Sequence, residues 1–292
     1  MKFNLLIFSF LILFNSIVFS QTKETHIYSV KDEEELKLDI YYPENVQNQR
    51  NIPAIVWMHG GGFAGGSRDA PDEAKFCQEI ANRNYIAVSI SYRLTRKNTK
   101  EGVGCDCPKD VKVETFQKAS EDYLDAVQFL IHNKEKFKID SEKIIAGGSS
   151  AGAEGILNAI FMKEKWFGNK YDDINFAGLI SLAGAAVEEV EIDDDNSIPA
   201  VFFHGAKDNV VPFETAPHHF CKENQPGFMI LKGSKSIVEK YQKLDKSYFL
   251  YTDSKGKHEV SGIPFNYLKE IFEFLDLTAI QGKHQTYEIE ID

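Results

Sequence analysis

The segment Gly148-Ser149-Ser150-Ala151-Gly152 determines the fold that the sequence predicts, because it joins a strand-like run to a helix-like run. The residues before it, 143–146, are typical of a buried strand, and those after it, 153–157, are typical of a helix. Glycine on both sides of a serine permits a sharp turn, which would hold Ser150 Oγ at the N-terminus of the helix. The segment alone is also compatible with a Gly/Ser turn that merely opens a helix, so the rest of the chain must decide.

A glycine-rich segment, His59-Gly60-Gly61-Gly62-Phe63, follows a strand predicted at 52–58. A serine hydroxyl is a poor nucleophile that needs a base, a group to orient the base, and donors for the oxyanion. Consecutive glycines can turn their N–H groups toward a carbonyl oxygen without interference from a Cβ atom. The alternative is a flexible glycine loop. We expect His59 to order this loop rather than to act as the base.

The candidate acid is Asp208, which follows an apolar run at 199–203 that is typical of a strand. In open parallel sheets, ligands bind beyond the carboxyl ends of the strands, and Asp208 would lie there. The competing acids Asp193, Asp194 and Asp195 form an acidic run, which is typical of a solvated surface loop. Asp208 is therefore the favoured acid.

The candidate base is His258, one of four histidines that follow Asp208. It lies in a short loop between a predicted strand at 248–251 and a predicted final helix at 264–275. His218 and His219 come too soon after the acid, and His284 belongs to the tail. The alternative for His258 is a solvent-exposed loop histidine, but the order Ser, Asp, His along the chain favours a catalytic role.

These four motifs in this order resemble the α/β-hydrolase superfamily, and most of all the carboxylesterases with the His-Gly-Gly-Gly motif of the hormone-sensitive-lipase type. The similarity spans roughly residues 35–275. The resemblance implies that Ser150 is the nucleophile, that His258 is the general base and acid, and that Asp208 orients the histidine. It also implies an oxyanion hole formed by the backbone N–H groups of Gly61, Gly62 and Ala151.

The alternation of strand-like and helix-like runs predicts an α/β architecture, with a mostly parallel central sheet and helices on both faces. A single hydrolase domain is expected over residues 21–292, without a large cap domain. The segments that could carry a cap are either strand-like or short, and the one sizeable insertion is 212–244.

The N-terminus resembles a signal peptide, since Lys2 precedes an apolar run that ends at Phe19. We expect residues 1–20 to be removed after Ser20, which would place the mature protein outside the cell or in the periplasm. The alternative is an uncleaved membrane anchor, because the run is close to the minimal length that spans a bilayer.

The four cysteines would then meet an oxidising environment, where an even number suggests disulfides. Cys105 and Cys107 are too close in sequence to bond to each other without strain. We expect Cys221 to pair with one of them and Cys77 to pair with the other. The alternative for Cys77 is a buried free thiol, since it lies on the apolar face of a predicted helix.

The net charge of −11 argues against binding to nucleic acid or to an anionic membrane. No dinucleotide or phosphate-binding motif is present in the sequence, and the cysteine spacing does not suit zinc, so neither a cofactor nor a metal is expected. The expected function is hydrolysis of short-acyl or aryl esters, either small molecules or acetyl and feruloyl esters on polysaccharides. The alternatives are a serine peptidase of the prolyl-oligopeptidase type and a catalytically silent hydrolase-fold binding module.

Overall fold

The computed structural model describes residues 23–44 and 46–292, and its centre is a nine-stranded sheet. The strands of this sheet are β1 Lys23–Lys31, β2 Glu34–Tyr41, β3 Ile52–Met58, β4 Ile86–Ile90, β5 Ile139–Ser149, β6 Gly178–Leu182, β8 Ala200–Gly205, β11 Tyr248–Asp253 and β12 Thr286–Ile291. Their spatial order is β1-β2-β4-β3-β5-β6-β8-β11-β12. Every neighbouring pair from β4 to β12 is parallel, and β1 and β2 add an antiparallel edge. The predicted mostly parallel sheet is therefore confirmed.

Helices cover both faces of the sheet, as the sequence predicts. They are α1 Pro71–Ala81, α2 Lys109–His132, α3 Lys134–Phe137, α4 Ala151–Phe161, α5 Lys163–Phe167, α6 Ser234–Lys243 and α7 Leu268–Leu275. Alternate residues of β3 point to opposite faces. Val56 packs in the layer of α2, α4 and α6, and Trp57 packs with Phe76 of α1 in the layer that also holds α7. Burial of a side chain such as Phe76 contributes about 1.5–3 kcal/mol to stability.

The insertion expected at 212–244 contributes to a small second sheet as well as to α6. Its strands are β7 Ala185–Val187, β9 Thr215–Pro217 and β10 Ile230–Gly233, and β10 pairs antiparallel with both others. Ser234, which follows β10 directly, lies 2.8 Å from the Nδ1 of His204 in β8, so the small sheet is connected to the carboxyl end of β8.

The tail after α7 does not leave the domain. Its strand β12 pairs in parallel with β11 from Tyr248 opposite Thr286 to Asp253 opposite Ile291. The expected signal peptide at 1–20 lies outside the described residues. In the described part of the chain, none of the helices combines the length and apolar character needed to cross a bilayer.

Candidate active site

Ser150 occupies the turn between β5 and α4, with φ 49° and ψ −121°. A residue other than glycine rarely adopts a positive φ, and such strain is typical of functional turns. The flanking glycines make the turn possible. A Cβ on Gly148 would lie 2.6 Å from the carbonyl carbon of Gly152, and a Cβ on Gly152 would lie 2.0 Å from the carbonyl oxygen of Met58. Only glycine fits at both places, which explains the spacing of the segment.

The structure brings Ser150, His258 and Asp208 together in one hydrogen-bond chain. Ser150 Oγ lies 2.8 Å from His258 Nε2, and His258 Nδ1 lies 2.7 Å from Asp208 Oδ2. When Nδ1–H donates to the carboxylate, Nε2 carries a lone pair that can accept the serine proton. The three residues come from three separate segments of the chain, and each follows a strand of the central sheet.

Asp208 is buried, and several donors compensate its charge. Its Oδ1 accepts the backbone N–H groups of Val210 at 2.8 Å and Val211 at 3.0 Å. Burial raises the pKa of the Asp208 carboxyl, but interactions with His204 and His258 outweigh that effect and hold the pKa well below its usual range. Asp208 is therefore ionised at neutral pH, as a group that orients a histidine must be.

His204, at the end of β8, is a site residue that the sequence analysis did not identify. It is fully buried, and its Nε2 lies 3.5 Å from Asp208 Oδ2. Ser234 Oγ holds its Nδ1 at 2.8 Å. Its position at the end of an apolar strand, four residues before the candidate acid, could have indicated from the sequence that it lies beside Asp208.

The segment that carries His258 is anchored to the serine turn. Ser149 Oγ donates to the carbonyl of Ser261 at 2.8 Å. The backbone of this segment also packs against Gly205, where a Cβ would lie 2.4 Å from the carbonyl oxygen of Lys257. These contacts fix the distance between the histidine and the serine from both sides.

Two of the candidate oxyanion donors, Gly61 and Gly62, line the same cleft as Ser150, and the third, Ala151, follows Ser150 directly. Gly61 has φ 120°, and a Cβ there would lie 2.2 Å from the carbonyl oxygen of Gly65, so only glycine fits. In the described loops, the N–H groups of Gly61 and Gly62 donate to no backbone carbonyl. Ala151 begins α4, and the N–H groups of a first helical turn have no acceptor within the helix. The Gly61, Gly62 and Ala151 N–H groups can therefore bind an oxyanion.

His59 orders the glycine loop, as predicted. Its Nδ1 lies 2.6 Å from the carbonyl oxygen of Gly60, and its ring centroid lies 4.7 Å from that of Tyr92. The Tyr92 hydroxyl donates to the His59 carbonyl at 3.0 Å. Burial lowers the pKa of His59, so its imidazole is neutral.

The competing acids lie on an exposed loop. Asp193 Oδ1 accepts N–H groups of Asp195 and Asn196 within that loop. His284 is half-exposed and lies 3.5 Å from Asp245. Neither segment contributes to the cleft in front of Ser150.

That cleft has a volume of about 380 Å³. Its walls include Gly61, Gly62, Glu154, His218, His219 and His258. The sequence pointed to His218 and His219 only as possible bases, and it gave no signal for Glu154. Within residues 23–44 and 46–292, no group of three or more His, Cys, Asp or Glu side chains is arranged to hold a metal ion.

The cysteines form one disulfide, between Cys105 and Cys221, whose Cα atoms are 5.2 Å apart. The expected second bridge is wrong, because Cys77 and Cys107 are buried free thiols. Cys77 packs in the layer of α1 and α7, among side chains such as Phe76 and Ile80. Its alternative interpretation as a core residue is therefore correct, and burial raises the pKa of its thiol well above its usual range, which keeps it protonated.

Comparison with known proteins agrees with this geometry. The BD-FAE family model matches residues 38–178, which include the glycine loop and Ser150. Short regions of the chain are similar to parts of larger proteins. The mouse (Mus musculus) pyrethroid hydrolase Ces2a is 41% identical over 20% of this chain and 10% of its own length. The medium-chain fatty acyl-CoA hydrolase precursor of Anas platyrhynchos is 27% identical over 41% of this chain and 20% of its own length, and gut esterase 1 of Caenorhabditis elegans is 28% identical over 44% of this chain and 21% of its own length. The chain thus spans about a fifth or less of the length of these relatives.

Similar solved structures cover nearly the whole chain. The native structure of a thermophilic esterase, Est2 of Thermogutta terrifontis, matches with a TM-score of 0.60 at 20% identity, over 87% of this chain and 91% of that one. Its butyrate-bound structure matches with a TM-score of 0.60 at 20% identity, over 86% and 92%. Sheet order, serine turn and structural similarity together show that the chain has the α/β-hydrolase fold.

Proposed function

We propose that this protein is a serine carboxylesterase that hydrolyses short-acyl or aryl esters through an acyl-enzyme. The observation that carries the proposal is the hydrogen-bond chain from Ser150 Oγ through His258 to Asp208, at 2.8 and 2.7 Å. The names of the similar proteins, which are hydrolases and esterases of esters or thioesters, support the same reaction class.

The first half-reaction forms the acyl-enzyme. Ser150 Oγ attacks the ester carbonyl carbon while His258 Nε2 takes the hydroxyl proton. The carbonyl oxygen becomes an oxyanion that accepts N–H groups of Gly61, Gly62 and Ala151. The bond from the carbonyl carbon to the alcohol oxygen then breaks, and His258 Nε2 returns its proton to that oxygen.

The second half-reaction repeats these steps with water. His258 Nε2 removes a proton from a water molecule, whose oxygen attacks the acyl carbon. The bond to Ser150 Oγ breaks, the serine recovers its proton, and the carboxylic acid leaves. The Asp208 carboxylate, ionised and held by two backbone N–H groups, stabilises the imidazolium that exists in each half-reaction.

The size of the cleft supports a small acyl group. About 380 Å³ in front of Ser150 accommodates short-chain or aryl esters better than long-chain triglycerides. The Thermogutta esterase has butyrate-bound and propionate-bound structures, which agrees with short acyl groups. We extend the proposal to acetyl or feruloyl groups carried by polysaccharides, because the insertion at 212–244 forms a small sheet rather than a large cap.

The deciding experiment compares Ser150→Ala with Ser149→Ala on p-nitrophenyl esters of increasing chain length, with acetylated xylan and methyl ferulate alongside. Ser150→Ala should lower kcat by about 10³- to 10⁶-fold, because residual rate comes only from the oxyanion donors and binding. Ser149→Ala, which loses only the bond to the Ser261 carbonyl, should retain most activity. Activity in Ser150→Ala together with its loss in Ser149→Ala would contradict the proposal.

Secretion is part of the proposal. The signal-like segment 1–20 supports it, and so does the Cys105–Cys221 bridge, because disulfides persist in oxidising compartments. N-terminal sequencing of protein recovered outside the cytoplasm should begin at Gln21. Recovery of the intact chain in the membrane fraction would favour an uncleaved anchor instead.

A further inference from the structure

The cleft in front of Ser150 contains a second polar cluster, formed by Glu154, His218 and His219. Glu154 lies on α4, one helical turn after Ser150, and the two histidines follow β9. Glu154 is 2% exposed and His218 is 1% exposed, yet both border the cleft. The triad chemistry proposed above uses none of these three side chains.

Four polar atoms of this cluster have no hydrogen-bond partner in the part of the chain that the structure describes. Among the described residues, Glu154 Oε1, His218 Nδ1, His218 Nε2 and His219 Nε2 form no hydrogen bond. Glu154 Oε1 lies 3.3 Å from His218 Nε2, but the pair is not aligned as a hydrogen bond. Leaving a buried polar group unsatisfied costs about 1–3 kcal/mol, so four such atoms in one wall point to a ligand that satisfies them.

Burial disfavours charge on the side chains of this wall. It raises the pKa of the Glu154 carboxyl well above its usual range, although the nearby Lys112 ammonium acts in the opposite direction. Burial also lowers the pKa of His218, with the charge of Lys112 adding to the effect, and lowers that of His219 to about 4. The environment therefore favours a protonated carboxyl and neutral imidazoles, which together offer both donors and acceptors.

The backbone holds the two histidines in place. The N–H of His218 donates to the carbonyl of Met229 at 2.8 Å, and that of His219 donates to the carbonyl of Val210 at 2.9 Å. The disulfide from Cys221 to Cys105 fixes the following residues. A ligand group would meet side chains that are already positioned, which lowers the entropic cost of binding.

From this geometry we propose that Glu154, His218 and His219 form a subsite that binds a hydroxyl group of the ester substrate. The inference rests on the proposed esterase function and narrows its substrate to hydroxylated esters. A hydroxyl is neutral and both donates and accepts, so it matches the wall. An alkyl group would leave the buried polar atoms unpaired, so an ester that carries a hydroxyl group should be preferred over the same ester without it.

The hydroxyl can belong to the acyl part or to the alcohol part of the ester, and two pairs of substrates separate these sources. The acyl pair is p-nitrophenyl butyrate and p-nitrophenyl 3-hydroxybutyrate. The alcohol pair is propyl acetate and glycerol monoacetate. Each kcat/KM is divided by the rate constant for hydroxide-catalysed hydrolysis of the same ester, which removes intrinsic reactivity. We expect the hydroxylated member of one pair to be preferred by about tenfold or more.

Variants test whether the cluster causes this preference. His218→Phe and Glu154→Leu should reduce the preference to about twofold or less, and His218→Gln, which keeps a donor and an acceptor, should restore part of it. Val103→Ala is the matched control, because Val103 borders the same cleft but is apolar. It should change kcat/KM for both members of a pair alike and leave their ratio unchanged.

Equal values for both members of both pairs in the unmodified protein would overturn the inference, whether or not every variant folds. A preference that survives in folded His218→Phe, with folding checked by thermal unfolding, would also overturn it. Neither result would affect the proposed function. That function fails only if the unmodified protein hydrolyses none of the four esters or if Ser150→Ala hydrolyses them at the full rate.

Discussion

Two pairs of a histidine and a carboxylate border one cleft, and their environments differ. In the first pair, His258 Nδ1 lies 2.7 Å from Asp208, whose other oxygen accepts two backbone N–H groups. In the second pair, His218 Nε2 lies 3.3 Å from Glu154 without alignment, and Glu154 Oε1 has no hydrogen-bond partner among the described residues. Both carboxyl groups are almost completely buried.

The comparison indicates that the hydrogen-bond donors around a buried carboxyl group, rather than the extent of its burial, determine its charge. Asp208 has donors around it, so its pKa is lowered and it remains ionised. Glu154 Oε1 has no hydrogen-bond partner among the described residues, and burial raises the pKa of this carboxyl well above its usual range, which favours the protonated form. An ionised carboxylate can orient an imidazole and stabilise its charge, whereas a neutral pair can only exchange hydrogen bonds with a neutral ligand.

The largest expected effect comes from neutralising the first pair. Asp208→Asn should lower kcat by about 10⁴-fold, because an amide no longer fixes the tautomer of His258 or stabilises its charge. Glu154→Gln, the equivalent change in the second pair, should lower kcat by about tenfold at most. Steady-state kinetics on p-nitrophenyl acetate measure both. Similar losses in the two variants would remove the distinction between the pairs.

The next largest effect is expected from removing the Cys105–Cys221 disulfide, which holds the segment that carries His218. The bridge closes a loop with a sequence separation of 116, and removing it with Cys221→Ser should lower the free energy of unfolding by about 2–4 kcal/mol. Urea unfolding with and without reductant measures this loss. Cys77→Ser is the control, because this variant keeps the bridge. Reductant should therefore lower its free energy of unfolding by the same amount as it lowers that of the unmodified protein. Four alkylatable thiols in the denatured, unreduced protein would contradict the bridge.

The two carboxyl groups should give opposite dependences of stability on pH. The folded pKa of Asp208 is depressed, so its contribution is present above the ordinary pKa of about 3.9 and is lost as the pH falls toward the folded value. The folded pKa of Glu154 is raised, so its contribution is present below about 4.3 and is lost as the pH rises toward the folded value.

Relative to the unmodified protein, Asp208→Asn should therefore lose stability as pH rises within the acid range. Glu154→Gln should gain relative stability as pH rises from about 4 toward neutrality, by at most about 1.4 kcal/mol per pH unit. Urea unfolding over a series of pH values measures both slopes. If the stability difference from the unmodified protein changed with pH in the same direction for both variants, the two carboxyl groups would not have opposite pKa shifts.

The smallest expected effect concerns His204, whose Nε2 lies 3.5 Å from Asp208 Oδ2, the same oxygen that His258 Nδ1 contacts. His204→Gln should lower kcat by about threefold to tenfold with KM unchanged, since it weakens one interaction of Asp208 without touching the substrate. A change in KM alone would indicate that His204 shapes the cleft instead.

The sequence predicts the first pair far better than the second. Strand β3 has the predicted bounds, and Ser150, Asp208 and His258 were identified because each follows a strand-like run in a recognisable order. Each identification combined a local pattern, the strand-like run directly before the residue, with the order Ser, Asp, His along the chain. Glu154 and His218 are 64 residues apart in sequence, and no local pattern connects a glutamate within a helix to a histidine after a three-residue strand.

The remaining differences have similar physical causes. The small second sheet is built from strands of three and four residues, which are too short to show an alternating pattern. Strand β12 is half-polar, with exposed residues such as Tyr287, because it lies at the edge of the sheet. The incorrect bridge to Cys77 arose because a count of cysteines carries no information about which face of the sheet each one occupies.

The backbone conformation of Ser150 serves activity at the expense of stability. Its φ of 49° and ψ of −121° suit glycine better than serine, so Ser150→Gly should raise the free energy of unfolding by about 1 kcal/mol while abolishing turnover. A chain of this kind that is no longer selected for hydrolysis would gain stability by losing its nucleophile. If variants were selected for folding alone, the thermally stable ones would therefore often carry a substitution of Ser150 and be inactive.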